Sequence, residues 1–202
     1  MIPSEVLLDG YSHGIFPMAG DDGDIRWYES DPRTILDIHD FRIPRDLRRI
    51  LNRDLFEIRL DRAFEQVIRA CADRASTWIS DEIVASYLNL HKLGYAHSVE
   101  AWLRPGAILN SRDKPVQEER LVGGLYGVAL GAAFFGESMF HRVPHASKVA
   151  LTYLAEHLKA RGFELHDAQM MTPTLELFGA RQIPKEEYLL RLQKAMRKKK
   201  EF

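Results

Sequence analysis

The residues most suited to chemistry lie in one glycine-rich segment, residues 121–151, which reads LVGGLYGVALGAAFFGESMFHRVPHASKVAL. Glycine weakens a strand, so its repeated use in an apolar run indicates that another backbone or a ligand approaches closely. The only acid of this segment, Glu137, follows Phe134 and Phe135 at a Gly-Glu-Ser turn. A carboxylate beside aromatic rings is either paired or functional. From the residues alone, a carboxylate satisfied by backbone amides and one that binds a substrate are equally well supported.

A second polar pair, Asp167 and Gln169, lies at the end of a predicted strand. Residues two apart on a strand point to one face, and α/β sheets usually open onto a site at the carboxyl ends of their strands. An acid and an amide in this position could hold and orient an amine nucleophile. Spacing alone favours the simpler interpretation, a strand-end turn with two solvated side chains.

Several large apolar residues allow two interpretations. Trp78 is typical of a core residue, although tryptophan also suits the face of a base or ribose. An apolar pocket could be lined by Phe134, Met139, Leu151, Leu154 and Leu158. The spacing of the last three is also that of the buried face of a helix.

Other common catalytic signatures are not found in this sequence. The eight histidines include no HExxH pattern, and the single cysteine, Cys71, excludes an internal disulfide or a thiolate zinc site. No Walker-type or GxSxG motif occurs. Basic residues cluster at 42–53 and 194–200, where they form either solvated surface or contacts to a phosphate backbone. We predict no metal site.

The bulk properties predict one soluble domain spanning residues 1–202. The chain is 46% apolar and 28% charged, with a net charge of −1, which argues against a general polyanion-coating protein. No apolar run is long enough to cross a bilayer and the first residues lack a signal pattern, so we expect no membrane contact and a cytoplasmic location. Residues 104–119 are expected to form an exposed insertion.

Periodicity predicts alternating helices and strands, and therefore a mixed α/β or α+β layer fold. The predicted helices are 3–14, 44–51, a helix capped by Asp61, 80–94, 147–160 and one beginning at 184. The predicted strands are 26–28, 34–38, 56–60, 97–103, 121–128, 131–137 and 163–168.

A set of motifs, kept in order along nearly the whole chain, resembles the leucyl/phenylalanyl-tRNA–protein transferase family. The matching blocks are GIFPMA (14–19), DPR (31–33), TWIS (77–80), LHKLGYAHSVEAW (90–102), LVGGLYGV (121–128), FFGESMFHR (134–142), ASKVAL (146–151), D-x-Q (167–169) and FGA (178–180). The resemblance is to the short, single-domain members. It implies a GNAT-like acyltransferase fold with a mixed central sheet flanked by helices.

The resemblance also implies an activity and its partners. The family moves leucine or phenylalanine from a charged tRNA to proteins with N-terminal arginine or lysine, marking them for degradation in the bacterial cytoplasm. The implied partners are the 3′ end and acceptor stem of an aminoacyl-tRNA and the N-terminal segment of the acceptor protein. The donor ester is already activated, so no cofactor is implied. Methionine is a further possible donor, because apolar pockets discriminate weakly between similar side chains.

Carried over position by position, the resemblance assigns roles to thirteen residues. Those matching the aminoacyl side-chain pocket are Leu125, Phe134, Met139, Leu151, Leu154 and Leu158; those near the terminal adenosine are Met18 and Trp78; those bounding the ester are Gly136, Glu137 and Ser138; and those handling the amine are Asp167 and Gln169. The chain departs from the family pattern in several places: ESDPR stands where SPDPR is usual, and the 104–119 insertion is longer than usual. Met18 replaces a tryptophan of longer members, His166 replaces an apolar residue, and Thr174 replaces a histidine.

These roles give a mechanism in which Gln169 accepts a hydrogen bond from the incoming amine and Asp167 orients it. Glu137 would bind either a cationic peptide terminus or ribose hydroxyls. Replacing Asp167 by alanine is then expected to lower transfer while leaving the fold intact. The alternatives are a CoA-dependent acetyltransferase, a non-catalytic RNA-binding protein, and the same chemistry with another donor or acceptor, such as arginyl transfer or acidic N-termini.

Overall fold

The structure is a computed structural model that describes all residues 1–202. Its helices are α1 (Ser4–Ser12), α2 (Arg45–Leu51), α3 (Phe64–Ala72), α4 (Asp81–Lys92), α5 (Ala146–Arg161), α6 (Pro173–Leu177) and α7 (Lys185–Met196). Its strands are β1 (Phe16–Ala19), β2 (Ile25–Tyr28), β3 (Arg33–Leu36), β4 (Phe56–Leu60), β5 (Ala96–Leu103), β6 (Arg120–Leu130), β7 (Ala133–His141), β8 (Leu165–Gln169) and β9 (Arg181–Ile183).

Seven strands form one mixed sheet in the order β4-β5-β6-β7-β8-β3-β9, while β1 and β2 form a separate antiparallel pair. Every neighbouring pair of the large sheet is antiparallel except β7 and β8. The connection between those two parallel strands is α5, as a parallel crossover requires. The predicted mixed α/β architecture, a sheet flanked by helices, is confirmed.

The sheet separates two apolar clusters. One contains side chains of α1, α3, α4 and α7, and the other contains side chains of α2 and α5. Strand β6 serves both, because Tyr126 and Val128 belong to the first cluster while Leu125 and Ala129 belong to the second. No helix combines the length and the apolar character needed to cross a membrane.

Most predicted helices and strands are present, but three short elements, β1, β9 and α6, were not predicted. Residues 104–119 contain no helix or strand and are mostly exposed. The predicted cap at Asp61 is wrong. Its backbone has a φ of 56°, and its carboxylate accepts from the Ser98 amide at 2.8 Å, while the amides of Arg62 and Ala63 before α3 donate to Glu100.

Candidate active site

The main cavity opens where the two parallel strands separate. Strand β7 pairs with β8 only from Ala133 to Phe135, opposite Leu165 to Asp167. Beyond this point, residues 136–139 of β7 and residues 168–170 line a cavity of about 360 Å³. The sheet therefore supplies backbone and side chains to two walls of the cavity.

Ten of the thirteen residues assigned by resemblance line this cavity: Met18, Trp78, Leu125, Gly136, Glu137, Ser138, Met139, Leu151, Leu154 and Gln169. The other three, Phe134, Leu158 and Asp167, do not line it and are buried behind it. Helix α5 contributes Leu151 and Leu154, and strand β6 contributes Leu125. An apolar wall and a polar floor thus share one cavity.

A β-bulge sets the direction of the Glu137 side chain. Across β6 and β7, Gly127 pairs with Gly136 and Tyr126 pairs with Ser138, which leaves Glu137 as the extra residue of β7. A Cβ at Gly127 would collide with the Phe135 carbonyl and the Phe134 ring. The glycine therefore permits the close strand contact on which the bulge depends.

The Glu137 carboxylate is surrounded by hydrogen-bond donors. Its Oε1 accepts from the Tyr11 hydroxyl at 2.7 Å and from Gln169 Nε2 at 3.2 Å, and its Oε2 accepts from the Tyr87 hydroxyl at 3.3 Å. The Tyr11 and Tyr87 hydroxyl oxygens also lie within hydrogen-bond distance of each other, so either hydroxyl can donate to the other in place of Glu137. Burial raises the pKa of Glu137 to about 7, against the lowering effect of the Tyr11 hydrogen bond. Glu137 consequently changes charge near neutral pH.

Asp167 is held in a closed polar cage behind the cavity. Arg33 of β3 donates to both carboxylate oxygens, at 2.8 and 2.6 Å, and Tyr188 of α7 donates to Oδ2 at 2.6 Å. Arg33 also donates to the Gly14 carbonyl at 2.9 Å, and its guanidinium lies 4.5 Å from the centroid of the Tyr188 ring. Both charged side chains are at most 1% exposed. The Arg33–Asp167 pair is therefore a buried ion pair.

This cage corrects one expectation about Asp167 and leads to a different prediction for its removal. The predicted shared face of Asp167 and Gln169 is not present, because Gln169 has a left-handed backbone with a φ of 54° and the pairing with β3 is irregular between Thr34 and Ile35. Removal of Asp167 is also expected to destabilise the fold, because the buried Arg33 guanidinium would lose its counter-charge.

The main chain of Gln169 is fixed from both sides. Its amide donates to Asp167 Oδ1 at 2.9 Å, and its carbonyl accepts from the Ser30 hydroxyl at 2.8 Å. The side-chain amide nitrogen donates to Glu137 Oε1 at 3.2 Å, and no protein group donates to the side-chain carbonyl oxygen, Oε1. Gln169 therefore presents a free acceptor in the cavity.

Phe134 and Leu158 lie in the apolar cluster behind the cavity and are fully buried. The Phe134 ring meets the His166 ring edge to face at 5.7 Å and stacks on Phe202 at 5.4 Å. His166 does line the cavity, and burial lowers its pKa to about 4. Phe134 therefore contacts a neutral imidazole that lines the cavity, but does not line the cavity itself.

Sequence reasoning missed four residues that organise the site: Tyr11, Arg33, Tyr87 and Tyr188. The DPR motif that contains Arg33 is a matching block with no role assigned to it, and no local pattern marks the three tyrosines. Each acts across more than a dozen residues of sequence, as in the Tyr11–Glu137 and Arg33–Asp167 contacts. Glu137 is the only acid that lines the cavity, whereas Glu176 is exposed and lies outside it. No cluster of three His, Cys, Asp or Glu side chains could hold a metal ion.

Comparison with known proteins shows the family to which the chain belongs. The family model described as leucyl/phenylalanyl-tRNA protein transferase matches residues 35–193, and the model described as the N-terminal domain of the same transferase matches residues 2–31. A leucyl/phenylalanyl-tRNA–protein transferase of Rubrobacter xylanophilus is 48% identical over 98% of this chain and 97% of its own. Those of Gloeobacter violaceus and Chlorobaculum tepidum are 48% and 44% identical, over 95% and 100% of this chain and 93% and 100% of their own. The chain therefore belongs to the leucyl/phenylalanyl-tRNA–protein transferase family and is an aminoacyltransferase.

Proposed function

We propose that this protein transfers leucine or phenylalanine, and also methionine, from the 3′ end of a charged tRNA to the N-terminal arginine or lysine of an acceptor protein. Such transfer would mark the acceptor for degradation. The observation that carries the proposal is the junction of an apolar wall with the free Gln169 Oε1 in one cavity. The choice of arginine and lysine acceptors rests on the family.

The donor side chain would occupy the apolar wall formed by Leu125, Met139, Leu151 and Leu154. Nothing on this wall distinguishes one apolar side chain from another by hydrogen bonding. A single methylene in such a pocket changes the activation free energy by only about 1–3 kcal/mol. We therefore expect broad use of leucyl, methionyl and phenylalanyl donors, with the adenosine placed toward Met18 and Trp78.

The reaction is aminolysis of an ester. The acceptor nitrogen attacks the ester carbonyl carbon, the bond to the ribose oxygen breaks, and a proton moves from the nitrogen to that oxygen. An α-amino group has an ordinary pKa of about 7.7–8.0, so a useful fraction is neutral near pH 7. Gln169 Oε1 would accept a hydrogen bond from the attacking amine and align it with the ester. Orientation of this kind supplies up to roughly 7–11 kcal/mol in well-aligned systems.

Glu137 and Asp167 take different roles in this proposal. Glu137 faces the cavity, and its carboxylate would hold an ammonium group or a ribose hydroxyl while fixing the Gln169 amide. Asp167 lies outside the cavity and acts through the Gln169 backbone amide. Asp167 is therefore a positioning residue, and Gln169 is the group expected to contact the substrate.

We further propose that residues 1–202 act as one transferase domain of GNAT-like topology. The N-terminal helix supports this, because Leu7 and Tyr11 pack in the same apolar cluster as α4 and Tyr11 donates to Glu137. The parallel pair β7 and β8, which separates at the cavity, supports the topology. A cytoplasmic location follows from the need for charged tRNA. CoA-dependent acetyltransferases bind the CoA pyrophosphate with a loop at the start of a helix. The segment most similar to that loop, residues 120–125, lies within strand β6, which disfavours acetyl transfer.

The test offers the protein a mixed pool of charged tRNAs and four peptides that begin with arginine, lysine, aspartate or glutamate. Mass spectrometry of the peptides is expected to show leucine, methionine or phenylalanine added to the first two only. Gln169→Ala should reduce the product strongly. Modification of the peptides that begin with aspartate or glutamate, or addition of arginine to any peptide, would contradict the proposed specificity and support the alternative donor or acceptor.

A further inference from the structure

Arg74 lies at the boundary between the main cavity and a second recess. This arginine follows α3, and its guanidinium donates to the Ser138 hydroxyl at 2.8 Å and to the carbonyls of Met139 and Cys71 at 3.1 and 2.7 Å. These partners are all neutral, and no carboxylate lies within 4.0 Å of the Arg74 nitrogens. The positive charge is therefore held in place but not neutralised.

The second recess, here called the outer recess, has a volume of about 300 Å³ and shares Arg74 and Met139 with the main cavity. It also contains Arg142, whose guanidinium lies 5.7 Å from the centroid of the Phe140 ring and has no ion-pair partner. The only acid that lines the outer recess is Asp73. Two uncompensated guanidiniums against one carboxylate make the outer recess electropositive.

We propose that the outer recess binds the phosphodiester that joins the terminal adenosine of the donor tRNA to the nucleotide before it. The inference rests on the proposed function, which places the adenosine against Met18 and Trp78 in the main cavity. The rest of the RNA strand must leave that cavity, and the outer recess adjoins it at Arg74. Guanidinium groups are the preferred partners of phosphate, because their planar donors match its oxygens.

This assignment separates the outer recess from the two basic clusters at residues 42–53 and 194–200. Those clusters lie on other elements, α2 and the end of α7, and do not line either cavity. If those clusters bind RNA, they would contact the body of the tRNA and would affect transfer only from intact tRNA. Contacts in the outer recess would already affect transfer from a donor that is only two nucleotides long.

The experiment compares two minimal donors, phenylalanyl-adenosine and the phenylalanyl ester of cytidylyl-adenosine, with an arginine-initiated peptide as acceptor. The measured quantity is the ratio of kcat/KM for the dinucleotide donor to that for the mononucleotide donor. We expect this ratio to be roughly ten at low salt, to fall with added salt, and to approach one in Arg142→Gln. The matched control is Arg112→Gln, an exposed arginine of the 104–119 segment, in which the ratio should stay at the wild-type value.

The inference would be overturned by a ratio near one in the wild type, or by a wild-type ratio that survives in Arg142→Gln. Failure of both donors and of intact charged tRNA in the wild type would instead contradict the proposed function. A ratio lowered equally by Arg142→Gln and Arg112→Gln would show a general charge effect, and it would also count against the recess.

Discussion

Replacing Asp167 by alanine should lower both the stability of the protein and the rate of aminoacyl transfer. The substitution removes an acceptor of four hydrogen bonds, two from Arg33, one from Tyr188 and one from the Gln169 amide. It also leaves the Arg33 guanidinium, which is 1% exposed, without its counter-charge. Breaking a buried ion pair by removing one partner costs roughly 3–5 kcal/mol. Native domains are stable by only about 5–15 kcal/mol, so a large share of the folding free energy is lost.

Thermal and urea unfolding of the wild type and Asp167→Ala measure this loss. For a domain of this size, about 3–5 kcal/mol corresponds to a fall in Tm of roughly 6–20 °C. Asp37→Ala is the matched control, because Asp37 pairs with Arg181 at 3.6 Å on the surface, where such pairs contribute about 0–1 kcal/mol. Equal stability of Asp167→Ala and Asp37→Ala, with transfer lost only in the former, would refute the positioning role and favour direct proton handling by Asp167.

Three further predictions concern the cavity. Because burial raises the pKa of Glu137 to about 7, its carboxylate form is lost as pH falls through that value. The kcat/KM for transfer should therefore fall over the same pH range. Glu137→Gln should abolish this part of the pH dependence but keep the part that is due to the acceptor amine. An unchanged profile in Glu137→Gln would exclude the carboxylate. Leu154→Ala should lower leucyl transfer more than phenylalanyl transfer, by up to roughly tenfold, because a larger ring can fill part of the space. Identical donor profiles in competition assays would exclude Leu154 from the donor pocket. Gln169→Gly should keep or raise Tm, since glycine adopts the observed φ of 54° without strain, while transfer is lost with the amide. Wild-type activity in that variant would disprove the role of Gln169.

The sequence alone predicts the order of the main helices and strands, because each depends on local periodicity and capping. Ser80 shows this: its side chain accepts from the Ile83 amide at the start of α4, as the Ser-Asp-Glu pattern indicates. The elements β1, β9 and α6 were not predicted, because a proline in or directly beside each of them (Pro17, Pro184 and Pro173) interrupts the pattern that revealed the equally short β2. Strand β9 exists only because it pairs with β3 in the folded sheet.

The sequence also predicts one part of the candidate site and misses another. The resemblance identified ten of the residues that line the cavity, but it could not distinguish a residue facing the cavity from one packed behind it. Phe134 and Asp167 belong to matching blocks, yet one packs beneath His166 and the other binds Arg33. Strand alternation places Asp167 and Gln169 on one face, and the left-handed backbone at Gln169 cancels that rule. Such a conformation depends on tertiary hydrogen bonds that no local pattern encodes.

The geometry at Gln169 explains why the polar network extends so far behind the cavity. A left-handed backbone at a residue other than glycine costs roughly 1–2 kcal/mol and persists only when its surroundings hold it. Here Asp167 holds the amide, Ser30 holds the carbonyl and Glu137 holds the side chain. Asp167 is in turn fixed by β3 and α7, and Glu137 by α1 and α4, through bonds from Arg33, Tyr188, Tyr11 and Tyr87. One acceptor oxygen is thus positioned by four other elements of the fold, and the buried charges stabilise a local conformation that the backbone alone would not adopt.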